Sequence, residues 1–277
     1  MDNALFLYRF HCREPASKWP GLPTYHIRPG IFVHTMEKVL NFSKELNVPF
    51  QFVCMFDNST PSLVERCEKK MKKMLGENGI SVVTNAMDDV DTTDHPRRMC
   101  DDGTITRKYL HGSWTFFVVG MNEIKKRADS GTAIFFTECD YLYKDESFVK
   151  GFRMIDAHDG DFVTLYEHPQ IYDYNKGPEW ESRKKNFAGH TWRPASSTCL
   201  TFIGTMKSIG KYPEMFLESQ NDWGDTRLWH NIYHAGGSTL WMSVPTLSWH
   251  CFSHNMAGAE QNGWSEILHA MPQKGNF

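Results

Sequence analysis

Two carboxylates close an apolar run in this chain: Ala133-Ile-Phe-Phe-Thr-Glu-Cys-Asp-Tyr-Leu-Tyr143 reads as a strand that passes directly into Glu138 and Asp140. Strand alternation puts both acids on one side of the chain as it leaves the sheet, at the carboxyl edge where open α/β sheets bind ligands. Hard cations such as Mg²⁺ and Mn²⁺ take oxygen ligands, commonly one or two carboxylates together with the phosphates of a substrate. The pair is therefore a candidate handle for a metal and a nucleotide. A solvated acidic turn after a buried strand has the same spelling, so the neighbouring segments have to decide.

Four further segments bear on that choice. Tyr8-Arg9 ends the opening apolar run, which places Arg9 at the same edge, either against a nucleotide phosphate or base or in a surface salt bridge. Asp57-Asn58 follows the next apolar run, where an acid accepts hydrogen bonds from a base or ribose; a turn-forming Asp-Asn pair is the competing reading. Asn221-Asp-Trp-Gly-Asp-Thr-Arg-Leu-Trp-His230 offers Asp222 and Asp225 just before a helical pattern. Either acid can cap that helix, or deprotonate an acceptor hydroxyl as a general base. Near the end, Ser248-Trp-His-Cys-Phe-Ser-His254 supplies imidazoles able to complete a metal's coordination or to serve as hydrogen-bonded structural groups.

The elements that must position these residues alternate. Short apolar runs over 4–8, 50–56, 80–83, 132–137 and 162–165 are separated by helical patterns, as expected of a mostly parallel sheet with helices on its faces. Gly30 precedes a helical stretch in which Phe32, Met36, Val39, Leu40 and Leu46 share a face. Ser59-Thr-Pro-Ser62 is a start signal for a second helix, whose Lys69-Lys70-Met71-Lys72-Lys73 run reads as a solvated face above Leu63, Cys67, Met71 and Met74. A third helix is expected from Gly112-Ser113, with Ser113 as N-cap and Trp114, Phe117, Val118, Met121 and Ile124 at helical spacing. Residues 87–103, acidic and without periodicity, read as a loop. The second half is less regular and richer in rings, from Tyr166 through Trp180, Trp192, Trp223, Trp249 and Trp264. Singly these suit a core; collectively they would suit a sugar-stacking face.

Composition narrows the classes. At 277 residues and 40% hydrophobic content the chain can bury a large core, and a net charge of −3 argues against a broad nucleic-acid surface. Seven scattered cysteines with no C-x-x-C pair suggest neither a disulfide framework nor a zinc knuckle, and suit a reducing compartment. No apolar run approaches the roughly 18 residues of a membrane span, so a soluble protein without a membrane span is expected.

Taken in order, Tyr8-Arg9, Gly112-x-x-x-Phe116, Phe136-Thr-Glu-Cys-Asp-Tyr-Leu-Tyr143, Ser197-Thr-Cys-Leu-Thr-Phe202, Gly224-Asp225 before Leu228-Trp229, and His250 followed by Gly263-Trp264 resemble nucleotide-sugar-dependent glycosyltransferases of the GT-A fold. The compact, single-domain members encoded by large DNA viruses and phages are the nearest in pattern. The resemblance implies one α/β GT-A-type domain over 1–277, with a nucleotide-sugar-binding half (1–143) and an acceptor-binding, catalytic half (144–277). It implies Asp140 as metal ligand of a D-x-D-like motif, Glu138 near ribose or donor sugar, and His250 as the second protein ligand of Mn²⁺ or Mg²⁺. Arg9 and Asp57 would line a uridine pocket, with Gly112 and Ser113 also on the nucleotide sugar. Asp225, with Asp222 in reserve, would be the base of an inverting enzyme. The donor would be a UDP-sugar (xylose, rhamnose or a hexose), and the acceptor a glycan such as that of a viral capsid glycoprotein, in the cytoplasm of a host cell. Glu-Cys-Asp replaces Asp-x-Asp here; the longer glutamate can reach either the metal or the ribose. A nucleotidyltransferase would also use strand-end acids, but its glycine-rich loop has no counterpart between Arg9 and Gly21. A non-catalytic carbohydrate-binding protein would have no need of Asp140 and Asp225.

Overall fold

The computed structural model describes residues 1–12, 24–57, 59–84, 115–167, 182–199, 201–218, 224–251, 264, 266 and 267. In chain order the strands are β1 (Asn3–Phe10), β2 (Phe50–Asp57), β3 (Gly79–Thr84), β4 (Thr132–Glu138), β5 (Tyr141–Tyr143), β6 (Phe162–Thr164), β7 (Lys185–Phe187), β8 (His190–Ala195), β9 (Phe202–Thr205), β10 (Leu240–Val244) and β11 (Ser248–His250). The helices are α1 (Thr24–Leu46), α2 (Pro61–Leu75), α3 (Met121–Arg127), α4 (Ser147–Ala157), α5 (Met206–Gly210), α6 (Pro213–Glu218) and α7 (Gly224–Ala235).

Among the described residues nine strands form one continuous sheet in the order β3-β2-β1-β4-β9-β6-β10-β8-β7. The β3-β2-β1-β4 half is wholly parallel. Antiparallel β9 joins it to the parallel pair β6 and β10, and β8 and β7 complete the far edge in antiparallel pairing. The fold is thus mixed α/β with a large, mostly parallel sheet flanked by helices, and the second half extends the sheet that the first half begins. A separate two-stranded ladder pairs β5 with β11.

Alternation along the central strands builds two cores. Phe6, Tyr8, Phe10, Phe52, Phe56 and Phe135 face α1, α2 and α4. Their odd-numbered and even-numbered neighbours Leu5, Leu7, Val53, Met55, Ile134 and Phe136 face α3, α6 and α7. Strands buried on both sides read as unbroken apolar runs, which is why β1, β2 and β4 were legible. The first core is dense in rings: Phe6 stacks on Phe135 at 4.4 Å and meets Phe42 edge-on at 5.5 Å.

Local differences from expectation have physical causes. Helix α1 begins at Thr24, six residues before Gly30, and carries Pro29 in its interior. Helix α2 starts with Pro61 in its first turn, but the Thr60 side chain makes no capping bond; Ser59 instead donates to the Phe10 carbonyl at 3.0 Å, tying the helix start to the end of β1. Leu63, Cys67 and Met71 are buried beneath exposed Lys69, Lys72 and Lys73, as the solvated-face reading requires. A π-helical turn over Thr115–Gly120 precedes α3, while Phe117, Met121 and Ile124 are buried as their spacing predicts. Gly112-Ser113 and the loop over 87–103 lie outside the described residues.

The sugar-stacking expectation is corrected for four of its six rings. Tyr166, Trp192, Trp249 and Trp264 are all buried and belong to cores, whereas Trp180 and Trp223 lie outside the described residues. Among the described residues Cys54, Cys67, Cys139 and Cys251 are buried free thiols, and no helix is long and apolar enough to cross a membrane.

Candidate functional site

Register assembles the first part of the site. Arg9 faces Glu138 across the β1–β4 ladder and Met55 across β1–β2, so Asp57 lies one alternation beyond Met55 on the same face. All three charged residues continue the face of Leu5, Leu7, Val53, Met55, Ile134 and Phe136 to the carboxyl ends of their strands. The Arg9 guanidinium donates from Nε (3.0 Å) and Nη2 (2.8 Å) to Asp57 Oδ2, and from Nη1 to Glu138 Oε1 at 2.8 Å. Asp57 is completely buried. Burial alone would lower the Arg9 pKa, but the two carboxylates hold it above its ordinary value. Burial and the nearby Asp140 charge push Glu138 up to about 7, against the pull of Arg9 and His250.

The second part is built by the turn after β4. Asp140 precedes β5, and in the β5–β11 ladder Tyr141 pairs with His250. Cys251 N donates to the Asp140 carbonyl at 2.8 Å, which brings the end of β11 alongside the acid. His250 Nε2 then lies 3.8 Å from Asp140 Oδ2, its ring stacked on Tyr141 at 4.5 Å and 6° with Tyr166 edge-on at 5.9 Å. Arg28 reaches in from α1: Nη2 stands 3.4 Å from Asp140 Oδ2, and Nη1 donates to the His11 carbonyl. Burial would raise the Asp140 pKa, yet His250, Arg28 and Arg9 together hold it far below the usual carboxylate range. These neighbours favour the ionised carboxylate.

His11 completes the floor between the two parts. Its Nδ1 lies 2.9 Å from the Asp57 carbonyl oxygen. Burial, with the charges of Arg9 and Arg28, lowers its pKa to about 4, so the ring is neutral near pH 7. A neutral ring that donates from Nδ1 to a carbonyl keeps Nε2 as an acceptor.

A divalent ion can be tested against this donor set. Asp140 Oδ1 is buried with no hydrogen-bond partner among the described residues, the state of an oxygen arranged for something else. Asp140 and His250 together fit a Mg²⁺ or Mn²⁺ ion that draws its other ligands from phosphate oxygens and water. Among the described residues no three His, Cys, Asp or Glu side chains gather as a protein-only site. Glu138 is engaged by Arg9, in keeping with a role away from the metal.

Five of the sequence-derived site residues thus gather at one edge: Arg9, Asp57 and Glu138 as an ion cluster, Asp140 and His250 beside it. Asp225 falls in the first turn of α7. That helix ends at the amino edge of the sheet, where Ser238 Oγ donates to the Gly160 carbonyl at 2.6 Å, and so its first turn lies towards the carboxyl edge. Gly112, Ser113 and Asp222 lie outside the described residues. Sequence reasoning missed Arg28 and His11. His11 lay two residues beyond Arg9 in the same emerging strand and was open to the same alternation argument; Arg28 was hidden by a helix start placed after it.

No protein-family model matches the chain, and no curated protein matches it. Solved structures are similar at low identity. The galactosyltransferase LgtC, in complex with donor and acceptor sugar analogs, gives a TM-score of 0.44 at 10% identity, over 84% of this chain and 72% of that one. Residues 1–349 of S. aureus TarS give 0.45 at 9% identity, over 94% and 64%. The mannosyltransferase Ktr4p from S. cerevisiae gives 0.43 at 10% identity, over 83% and 63%. The chain spans less than two thirds of the last two.

Proposed function

We propose that this chain is a GT-A-type glycosyltransferase that moves a sugar from a UDP-sugar to a glycan hydroxyl with inversion at the anomeric carbon. The observation that carries the reading is Asp140: a buried, ionised carboxylate with an unpartnered oxygen, 3.8 Å from an imidazole, at the carboxyl edge of a parallel β3-β2-β1-β4 half-sheet. A carboxylate with one oxygen left over beside its Arg28 ion pair is suited to a cation on a diphosphate.

When bound, Mn²⁺ or Mg²⁺ would neutralise charge on the leaving diphosphate. Asp140 and His250 would hold it, and Arg28 adds a fixed positive charge on the same side. Arg9 and Glu138 would face the uridine, with buried Asp57 holding the guanidinium from behind, and Gly112 and Ser113 also assigned to the nucleotide sugar. Asp225 would take the proton from the acceptor hydroxyl while its oxygen attacks the anomeric carbon and the bond to the UDP oxygen breaks; Asp222 stands in reserve. Xylose, rhamnose or a hexose is the donor sugar and a glycan, such as that of a viral capsid glycoprotein in a host cytoplasm, the acceptor.

Thermal melting with UDP, UDP-xylose, UDP-glucose and UDP-rhamnose, each with and without Mn²⁺, tests the reading. A ligand selective for the folded state raises the melting temperature by mass action. Metal-dependent stabilisation by UDP that exceeds that by CDP or GDP, with slow donor hydrolysis releasing UDP, is expected. No shift with any nucleotide at millimolar concentration would overturn it.

A further inference from the structure

We infer a second metal site, remote from the strand-end acids, on the exposed face of α7: His230 and His234 form a bidentate chelate for a borderline transition-metal ion of the Cu²⁺, Ni²⁺ or Zn²⁺ class. The two histidines are four residues apart in one helix, so their side chains rise from the same face. Their ring centroids are 4.3 Å apart, with planes at 63°, and both residues are exposed. Two nitrogens bound at about 2.0–2.1 Å to one ion stand roughly 3 Å apart, a spacing that rings at this separation reach by side-chain rotation alone.

The helix beneath is anchored by its buried face, which lowers the ordering cost of chelation. Leu228, Trp229 and Ile232 on its opposite face are buried, and Trp229 packs edge-on against Phe202 at 4.9 Å and Phe162 at 5.3 Å. Paired histidines at this spacing are how helical zinc sites present two ligands, but there a glutamate follows the first histidine as general base. Asn231 holds that position here. The pair therefore binds an ion without an adjacent base to activate water. An ion bridging residues four apart also staples the last turn of α7, just before Gly236 and Gly237 turn at positive φ into β10. Imidazole-only coordination selects against Mg²⁺ and Mn²⁺, which separates this site chemically from Asp140 and His250.

The test is calorimetric titration of the tag-free full chain with CuCl₂, NiCl₂, ZnCl₂ and MgCl₂ in a non-chelating buffer, repeated on His230→Ala, His234→Ala and His250→Ala. Beyond any ion taken up at Asp140 and His250, one equivalent of Cu²⁺ should bind more tightly than Ni²⁺ or Zn²⁺, following the general order of divalent affinities, and should raise the melting temperature. Either α7 substitution should weaken that equivalent by more than about tenfold, the loss that even an outer-shell partner of a ligand produces, while His250→Ala keeps it. Both α7 residues are exposed, so unchanged metal-free melting verifies that the variants fold. Parent-like Cu²⁺ affinity in either α7 variant, or loss of the equivalent in His250→Ala, would overturn the inference.

Discussion

Arg9 and Glu138 stand opposite each other in the β1–β4 ladder, and their side chains close at 2.8 Å where the two strands leave the sheet. The same guanidinium holds Asp57, a carboxylate with no exposed surface. One cation thus fixes two acids that the proposed chemistry needs in place. Removing it would strand a buried negative charge, so Arg9→Met should cost about 3–5 kcal/mol of unfolding free energy. Arg9→Lys keeps the charge but loses the fork, and should fall between. Urea denaturation measures both; a loss under about 1 kcal/mol in Arg9→Met, the range of exposed pairs, would mean the cluster contributes little to the fold.

Arg28 and a metal would compete for one carboxylate. Two unit charges 4 Å apart repel by about 4 kcal/mol at an effective dielectric of about 20, so a partly screened guanidinium 3.4 Å from Asp140 still weakens a divalent ion tenfold or more. Arg28→Met should therefore bind Mn²⁺ alone more tightly than the parent, yet bind UDP less tightly, because the same cation favours the diphosphate. Asp140→Ala should abolish metal-dependent UDP binding. Calorimetry of Mn²⁺ and of UDP separately reads these opposite signs; weaker Mn²⁺ binding in Arg28→Met would show that Arg28 supports the metal rather than opposing it.

How much of this was legible in the sequence follows from what local pattern encodes. Alternation in β1, β2 and β4 predicts the common edge of Arg9, Asp57, Glu138 and Asp140, because side-chain direction in a strand is fixed by parity. It does not encode which side chain partners which: the Arg9–Asp57 pair depends on the lateral register of two strands separated by α1. His250 was named from the resemblance, but its approach to Asp140 depends on the β5–β11 ladder, a pairing across more than a hundred residues that no local pattern reports. Arg28 escaped because the helical pattern reads from Gly30 onward, whereas α1 begins at Thr24. Tyr166, Trp192, Trp249 and Trp264 of the second half are core, as each suits singly, and only their collective reading as a sugar-stacking face fails, because ring content alone carries no period that tells core from surface.

Acid should loosen the seam between α1 and β5. His34, buried in α1, has Nε2 2.9 Å from the Tyr143 carbonyl oxygen, and burial, with Lys38 adding to it, lowers its pKa to about 4, against the hydrogen bond and Asp145. The unfolded chain would titrate this group near 6.5, so below that pH the unfolded state binds more protons. The contribution is complete above about pH 6.5 and is lost progressively as pH falls through 4, on the order of 3 kcal/mol in full. His34→Gln keeps a donor for Tyr143 and removes the titration. Its stability, followed by urea melts between pH 7 and 4.5, should fall less steeply than the parent's; parallel curves would remove His34 from the acid response.

The assignment of Asp225 makes the most demanding prediction. Asp225 falls in the first turn of α7, which lies towards the carboxyl edge. A general base acts in the transition state, not on the resting donor complex. Asp225→Asn should therefore lower turnover by about 10²–10⁴-fold while leaving the UDP-sugar dissociation constant nearly unchanged. If the residue only capped the helix, asparagine, an equally good cap, would leave both quantities untouched. Asp222→Asn should be the milder variant, since one carboxylate alone can sit in line behind the acceptor hydroxyl. Single-turnover rates with saturating donor separate the cases: a dead Asp222→Asn beside an active Asp225→Asn moves the base three residues upstream, and two active variants remove the support for inversion by direct displacement.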